Sequence, residues 1–401
     1  MHLTIPGQMD VMGVGIGTYP MVSIGFNKDV AWSHTVSTGK RFTFYEVTLA
    51  EGDPTTYLVD GKPEKMTARK ISAQIPGPDG KLQMREHTVW STRWGPLVVV
   101  PRAGLTWNAK AAYALRDANT GNSRMMDAAL AFARARSVQD LHKAHANRGL
   151  LWVNTLAADR SGQAMYADVS VVPDVDAAQF ARCAPSQPAA ALRAAAGLVV
   201  LNGSRADCDW RRDSASPVPG LIPIGRMPVA FRTDWVHNSN DSFVYTHPGQ
   251  RFEGISPLVG DASLTRPRTR AGLAEIPEML SRGKVTLQAI QGQLFENRNF
   301  MAQVVVPDLL AACDKAPTAE SRDGCAALKG WDRRNNVDAR GAHVFREFWR
   351  TARIIPGVHR VPFDPAQPVA TPAGLKMDDA TTAAKVWEAL DGAVKAIRNS
   401  G

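Results

Sequence analysis

No stretch of this chain approaches the ~18–20 consecutive apolar residues that a helix needs to cross a bilayer. Its N-terminus also lacks a charged segment followed by an apolar run of the export-signal kind. The sequence as it stands therefore contains no membrane span. C-x-x-C pairs are absent too, which removes the usual spacing of zinc ribbons and thioredoxin-like sites. The four cysteines fall instead as two close pairs, Cys183 with Cys208 and Cys313 with Cys325. That spacing suits two local disulfides and an oxidising compartment, the alternative being four buried thiols in a reducing one. Long runs of one charge are missing as well. The 47 Lys and Arg are spread among 38 Asp and Glu, so the net charge of +9 reads as a generally basic surface, and nucleic acid is not expected as a partner.

What is present is a globular composition, 44% hydrophobic and 21% charged, enough for a packed core in 401 residues. From Leu3 to Val98, β-branched and aromatic runs such as "VAWSHTV", "RFTFYEVTL" and "HTVWSTRW" are cut by Gly, Pro and Asp, which predicts strands joined as hairpins. "SRMMDAALAFARARSVQDLHKAHANRG" has helical periodicity, with Ser137 and Asp140 forming a capping-box-like start to its second half. Strands resume in "LLWVNTLAADRSGQAMYADVSVV", with a turn near 159–162. Residues 184–230 read as long connections, and "DWVHNSNDSFVYTH" reads as strands. From Thr265 onward the chain is mainly helical, with helices expected at 268–283, 285–296, 307–315, 319–331 and 379–398. Strands, inserted helices, strands and then helices make an α+β pattern with antiparallel pairing.

Several motifs invite chemistry and do not sustain it. "MGVGIGTYP" has Gly13, Gly15 and Gly17, but Pro20 stands where a dinucleotide-binding helix should open, so a strand bend or close backbone approach is expected. "MVSIG" lacks the first glycine of a nucleophile elbow, and Ser23 is expected on a strand at the core edge. His142 and His145 are three apart on a predicted helix, with Lys143 beside them and no third ligand, so a solvated helix face is expected. In "VAWSHTV", Ala31, Ser33 and Thr35 face one way and Trp32, His34 and Val36 the other. "HNSNDSF", 237–243, crowds short hydrogen-bonding side chains together. Such a run is costly to bury unless each group finds a partner, and it fits either side-chain-capped turns or a functional loop.

"MHLTIPGQMDVMG", "IGFNKDVAWSHTV", "YALRDAN", "WVNTLAAD", "VHNSNDSF" and "SPLV", in that order, make the chain resemble the penicillin acylase family of N-terminal-nucleophile hydrolases. The likeness is strongest to its acyl-homoserine-lactone and aculeacin acylase branch and runs over nearly the whole chain. It implies an αββα sandwich of two antiparallel sheets between helical layers, as one domain over 1–401 with a mainly helical part at about 265–401. It also implies an exported precursor that cuts itself into an α chain and a β chain, the latter starting at a nucleophilic Ser. The α chain is then a partner, the location periplasmic or secreted, the substrate a small-molecule acyl amide, and the cofactor none. By position, Asn240 resembles the oxyanion-hole asparagine, with Asn238, Ser239 and Asp241 holding the backbone that aims it. Val36 resembles the residue whose backbone N–H is the second donor. Arg268, in "TRPRTRAG" with Arg266 and Arg270 close by, resembles the active-site arginine. Ile16, Tyr19 and Trp152 match positions lining the acyl pocket.

The sequence departs from the family pattern in two respects. It starts past the position of the family's N-terminal Ser, with Met1 at an internal β-chain methionine, and stops before the family's last strands. An internal portion of a β chain, incomplete at both ends and inactive alone, is therefore expected. A catalytically inactive homologue that binds acylated ligands or a partner is the alternative. Secondly, Lys40 and Arg41 stand in "STGKRFT" where penicillin G acylases carry calcium-binding aspartates, so no metal site is expected there.

Overall fold

The computed structural model describes residues 1–17, 19–263 and 266–400, with all of their side chains except those of Arg193 and Ala194. Two compact units are present, Met1–Asp261 and Ala262–Gly401. The first carries β1 (His2–Ile5), β2 (Met9–Val14), β3 (Ile24–Phe26), β4 (Val30–Val36), β5 (Phe42–Ala50), β6 (Asp53–Val59), β7 (Lys62–Lys65), β8 (Thr67–Pro76), β9 (Leu82–Thr92), β10 (Gly95–Pro96) and β11 (Ala111–Asp117). Next come α1 (Met125–Arg134), α2 (Val138–Ala144), β12 (Val153–Asp159), β13 (Ala164–Asp168), α3 (Ala177–Arg182), α4 (Gln187–Ala196), β14 (Val200–Asn202) and β15 (Val229–Arg232). The main sheet has the order β1-β2-β3-β4-β12-β13-β15 and is antiparallel throughout. A second sheet runs β11-β5-β6-β7, with β14 beside β5 in the one parallel pairing among the described strands, and a third joins β8, β9 and β10.

Local chemistry explains these elements. In β4, Val30 and Trp32 are buried on the face that meets α1, where the Phe132 ring stands edge-on to Trp32 at 5.9 Å. Ser137 caps α2 by accepting from the Asp140 N–H at 3.2 Å. Gly13 and Gly25 lie opposite each other in the β2–β3 pair, and a Cβ on Gly13 would stand 2.1 Å from the Ile24 carbonyl oxygen. The glycine-rich stretch is thus a close approach of two backbones. Both expected disulfides form, Cys183–Cys208 and Cys313–Cys325.

The second unit is helical: α5 (Pro267–Ser281), α6 (Leu287–Phe295), α7 (Phe300–Ala311), α8 (Ala319–Lys329), α9 (Arg340–Ala352) and α10 (Ala380–Asn399). Its own core joins Val305, Leu309, Phe345, Phe348, Val386 and Leu390. The expected start of the helical region at Thr265 lies outside the described residues.

The structure corrects several local expectations. The segment 233–242 is irregular and leads into a short 3-10 turn, Phe243–Tyr245, where strands were expected. Its amide side chains bond the local backbone and so compete with a strand ladder. The connection at 184–230 contains α4, β14 and β15. The third helix of the second unit is Phe300–Ala311 rather than 307–315, because Asn299 caps it and Pro307 is tolerated inside it. Helix α9 was not anticipated, although Val344, Phe345, Phe348 and Ala352 mark its buried stripe. His145 is buried, not solvated, since the Phe132 ring packs edge-on against it at 5.2 Å.

Candidate functional site

The site is built around the C-terminal end of β4. Ser37 N–H donates to the Trp152 carbonyl at 2.9 Å, and Arg160 N–H donates to the Asp29 carbonyl at 3.0 Å at the far end of the same ladder. In an antiparallel pair, hydrogen-bonded and non-bonded positions alternate. Val36, opposite Val153, is therefore in a non-bonded position, and its N–H and C=O point away from β12. On that side, β3 pairs β4 only as far as Trp32. The end of β4 thus turns main-chain polar groups toward a side that the sheet leaves open.

Asn240 reaches the same point from 204 residues away. Its carboxamide Nδ2 donates to the Val36 carbonyl at 3.1 Å. Asn240 has φ +66°, the left-handed region that Asn tolerates better than most residues, so its side chain leaves the loop at an angle regular backbone does not offer. A chain of hydrogen bonds holds that conformation. The Tyr166 hydroxyl donates to Asn154 Oδ1 at 2.7 Å, and Asn154 Nδ2 donates to Thr35 Oγ1 at 3.1 Å and to the Val36 carbonyl at 3.3 Å. Thr35 Oγ1 donates to Asn238 Oδ1 at 2.7 Å, and the same oxygen accepts the Asn240 N–H at 2.8 Å. Asn238 Nδ2 closes the turn on the Asp241 carbonyl at 2.8 Å, while Ser239 Oγ pairs with His237 Nε2 at 2.9 Å. Each buried amide thus has partners, as the cost of burying it requires.

The surroundings are low in dielectric. Burial pushes the Tyr166 hydroxyl well above its ordinary value and keeps it a donor to Asn154. His34, beside Thr155 at 3.2 Å, is pushed down to about 4, chiefly by burial. Next to Val36, Ser37 and Ser170 both donate to Asp168, whose carboxyl burial raises. Arg148, pushed down to about 10 by burial, donates to the Ser170 carbonyl at 2.8 Å.

Trp152 adjoins Val36 through β12 and lines a cavity of 420 Å³. Ile16 and Tyr19 sit on the turn after β2, exposed at 62% and 49%, and do not line that cavity. Arg268 is an exposed residue in the first turn of α5 in the second unit. Its neighbour Arg270 is buried, donating to the Val369 carbonyl at 3.0 Å with its guanidinium 5.2 Å from the Phe300 ring. Sequence reasoning missed Thr35, Asn154 and Tyr166 as supports of Asn240. Their partners are 119 to 203 positions away or across a strand pair, and no spacing signals them. Among the described residues, one cluster has metal-ligand proximity, Cys183, Asp207 and Cys208. Its sulfurs are joined in a disulfide and cannot act as thiolate ligands.

The sequence profile described as penicillin amidase matches residues 1–401. The chain belongs to the penicillin amidase family. It is 37% identical over 407 residues to the acyl-homoserine lactone acylase PvdQ of Pseudomonas syringae pv. syringae, an alignment covering 100% of this chain and 51% of that protein. It is 40% identical over 393 residues to the aculeacin-A acylase of Actinoplanes utahensis, covering 93% of this chain and 48% of that one. The chain therefore spans about half the length of the curated relatives it matches. Among solved structures, it resembles the thermostable penicillin G acylase of Alcaligenes faecalis with a TM-score of 0.64 at 17% identity, over 98% of this chain and 71% of that one. The fold of this penicillin amidase chain is accordingly the α+β fold of that acylase, as the resemblance implied.

Proposed function

We propose that the full-length protein containing this chain hydrolyses the amide bond of N-acylated small molecules, N-acyl-homoserine lactones or acylated lipopeptides. The relatives reported above are described as an acyl-homoserine lactone acylase and an aculeacin-A acylase, which supports this reading. The observation that carries this reading is the meeting of the Asn240 carboxamide with the end of β4, where the Val36 N–H points to the open side.

In this reading an N-terminal Ser outside this chain attacks the amide carbonyl carbon. Its hydroxyl proton passes to its own α-amine, and the carbonyl oxygen becomes an oxyanion. A carboxamide carries two N–H donors. One is directed to the Val36 carbonyl, and the role asks the other to face the oxyanion together with the Val36 N–H. Collapse expels the amine with the transferred proton, and water then hydrolyses the acyl ester. By the family resemblance alone, Arg268 takes the role of a fixed positive charge that disfavours protonation of the α-amine, and Ile16, Tyr19 and Trp152 take that of acyl-chain contacts, of which Trp152 lines the cavity described above. The chemistry calls for no cofactor. The α chain of the same precursor is the protein partner, and the two disulfides suit export to the periplasm or beyond.

The test is Asn240→Ala in the full-length acylase. A fall in kcat of roughly 10²–10³-fold is expected, the usual effect of one oxyanion donor. Full activity in that variant would remove Asn240 from the mechanism.

A further inference from the structure

The cavity beside Trp152 has apolar walls, Phe44, Trp152, Leu198 and Val199, yet two cations, Lys40 and Arg41, also line it. Its 420 Å³ lies within the ~300–1,000 Å³ of small-molecule sites. The Arg41 guanidinium is already engaged. It lies 4.0 Å from the Trp152 ring and 4.2 Å from the Phe42 ring, with Asp117 Oδ1 3.1 Å from its Nε. Lys40 has no such company, and among the described residues no carboxylate pairs with it. Its main chain is anchored, the N–H donating to the Leu258 carbonyl at 2.7 Å. Its ammonium lies over Gly197, where a Cβ built on that residue would stand 3.7 Å from Nζ. Two cations thus line, with one carboxylate nearby, a largely apolar cavity whose Trp152 wall is hydrogen-bonded to Ser37, the residue after Val36.

We propose that this cavity receives an acyl chain ending in a carboxylate, with Lys40 as the ionic partner of that far end. The inference rests on the acylase reading and narrows its substrate class. Methylenes on Phe44, Leu198 and Val199 gain from leaving water. Lys40 is exposed at the edge of the cavity, so a methyl end group leaves its ammonium in water and neither gains nor loses by it. A terminal carboxylate supplies a partner through a charge-assisted hydrogen bond.

The experiment compares the 4-nitroanilides of octanoic acid and of suberic acid with one carboxyl left free, two chains of equal length that differ at the far end. Full-length wild-type acylase should show a KM at least fivefold lower for the suberyl compound, on the order of a single charge-assisted contact. Lys40→Gln should raise that KM about tenfold while leaving octanoyl turnover unchanged, and Lys40→Arg should restore it. Equal shifts for both compounds, or no shift for either, would overturn the proposal. Failure of the acylase reading looks different, because neither anilide is then hydrolysed. Calorimetric titration of the same two compounds decides that case. Tighter suberyl binding that Lys40→Gln abolishes supports the site, and equal binding or none overturns it.

Discussion

Asn240 Nδ2 lies 3.1 Å from the carbonyl oxygen of Val36, a residue 204 positions earlier, on the side of β4 that faces away from β12. A left-handed backbone and a relay of side chains running back to Tyr166 impose this contact. The aim of the Asn240 carboxamide therefore depends on Thr35, Asn154 and Tyr166, side chains that never touch it.

Thr35 is the middle of that relay, accepting from Asn154 and donating to Asn238. Thr35→Val keeps the shape and removes the hydroxyl, leaving two amides short of a partner, at a cost of about 1–3 kcal/mol each where buried. Under the proposed acylase activity we expect kcat to fall about tenfold with KM nearly unchanged, because Asn240 loses its aim while the cavity beside Trp152 is untouched. Steady-state kinetics checks this, and a variant that changes KM alone would contradict the positioning role.

Acid should weaken the first unit. His34 is held down to about 4 and His145 well below its ordinary value, both chiefly by burial. The unfolded chain binds those protons below about pH 6.5, whereas the folded chain takes up the His34 proton only as the pH approaches 4 and resists the His145 proton in the same direction. The contribution of His34 is therefore complete above about 6.5 and lost as pH falls toward 4, at about 1.4 kcal/mol per unit of depression, and that of His145 falls with the same sign. Asp168, whose carboxyl is raised, has the opposite slope between its unfolded and folded values. Urea unfolding from pH 7.5 to 4.5 should show the loss, and His34→Gln should flatten it. An unchanged slope in that variant would assign the pH dependence elsewhere.

The Cys183–Cys208 bridge spans 25 positions. Replacing both cysteines by Ala should cost about 3 kcal/mol, since a loop of that length is left open in the unfolded chain. Thermal melts with and without reductant measure it, and reductant should have no effect at this bridge in the double variant.

Gly13 faces Gly25 across β2 and β3. Gly13→Ala places a methyl 2.1 Å from the Ile24 carbonyl oxygen and 2.6 Å from Gly25 Cα. Neither backbone group can rotate away, so the pair must part, and we expect destabilisation of several kcal/mol, in the upper range for single substitutions. Hydrogen exchange should show the loss confined to β1–β3. Wild-type protection there would mean the strands have room to separate.

The sequence by itself determined the elements whose signal is local. β4 is the alternating run Val30–Val36, α2 opens at the Ser137 cap, and the two cysteine pairs close as their spacing suggests. The motifs that carry the family resemblance single out Val36 and Asn240 from the sequence, and the fold brings these two into hydrogen-bond contact. Tertiary structure alone decided the rest. The run at 237–243 became a side-chain-bonded loop, His145 went into the core against Phe132, and Thr35, Asn154 and Tyr166 became supports of one amide. Capping and alternation act over a few residues and leave a periodic trace in the chain. A hydrogen bond between residues 203 apart leaves none, because its partners are selected by how strands stack and loops return, and that geometry exists only once the chain has folded.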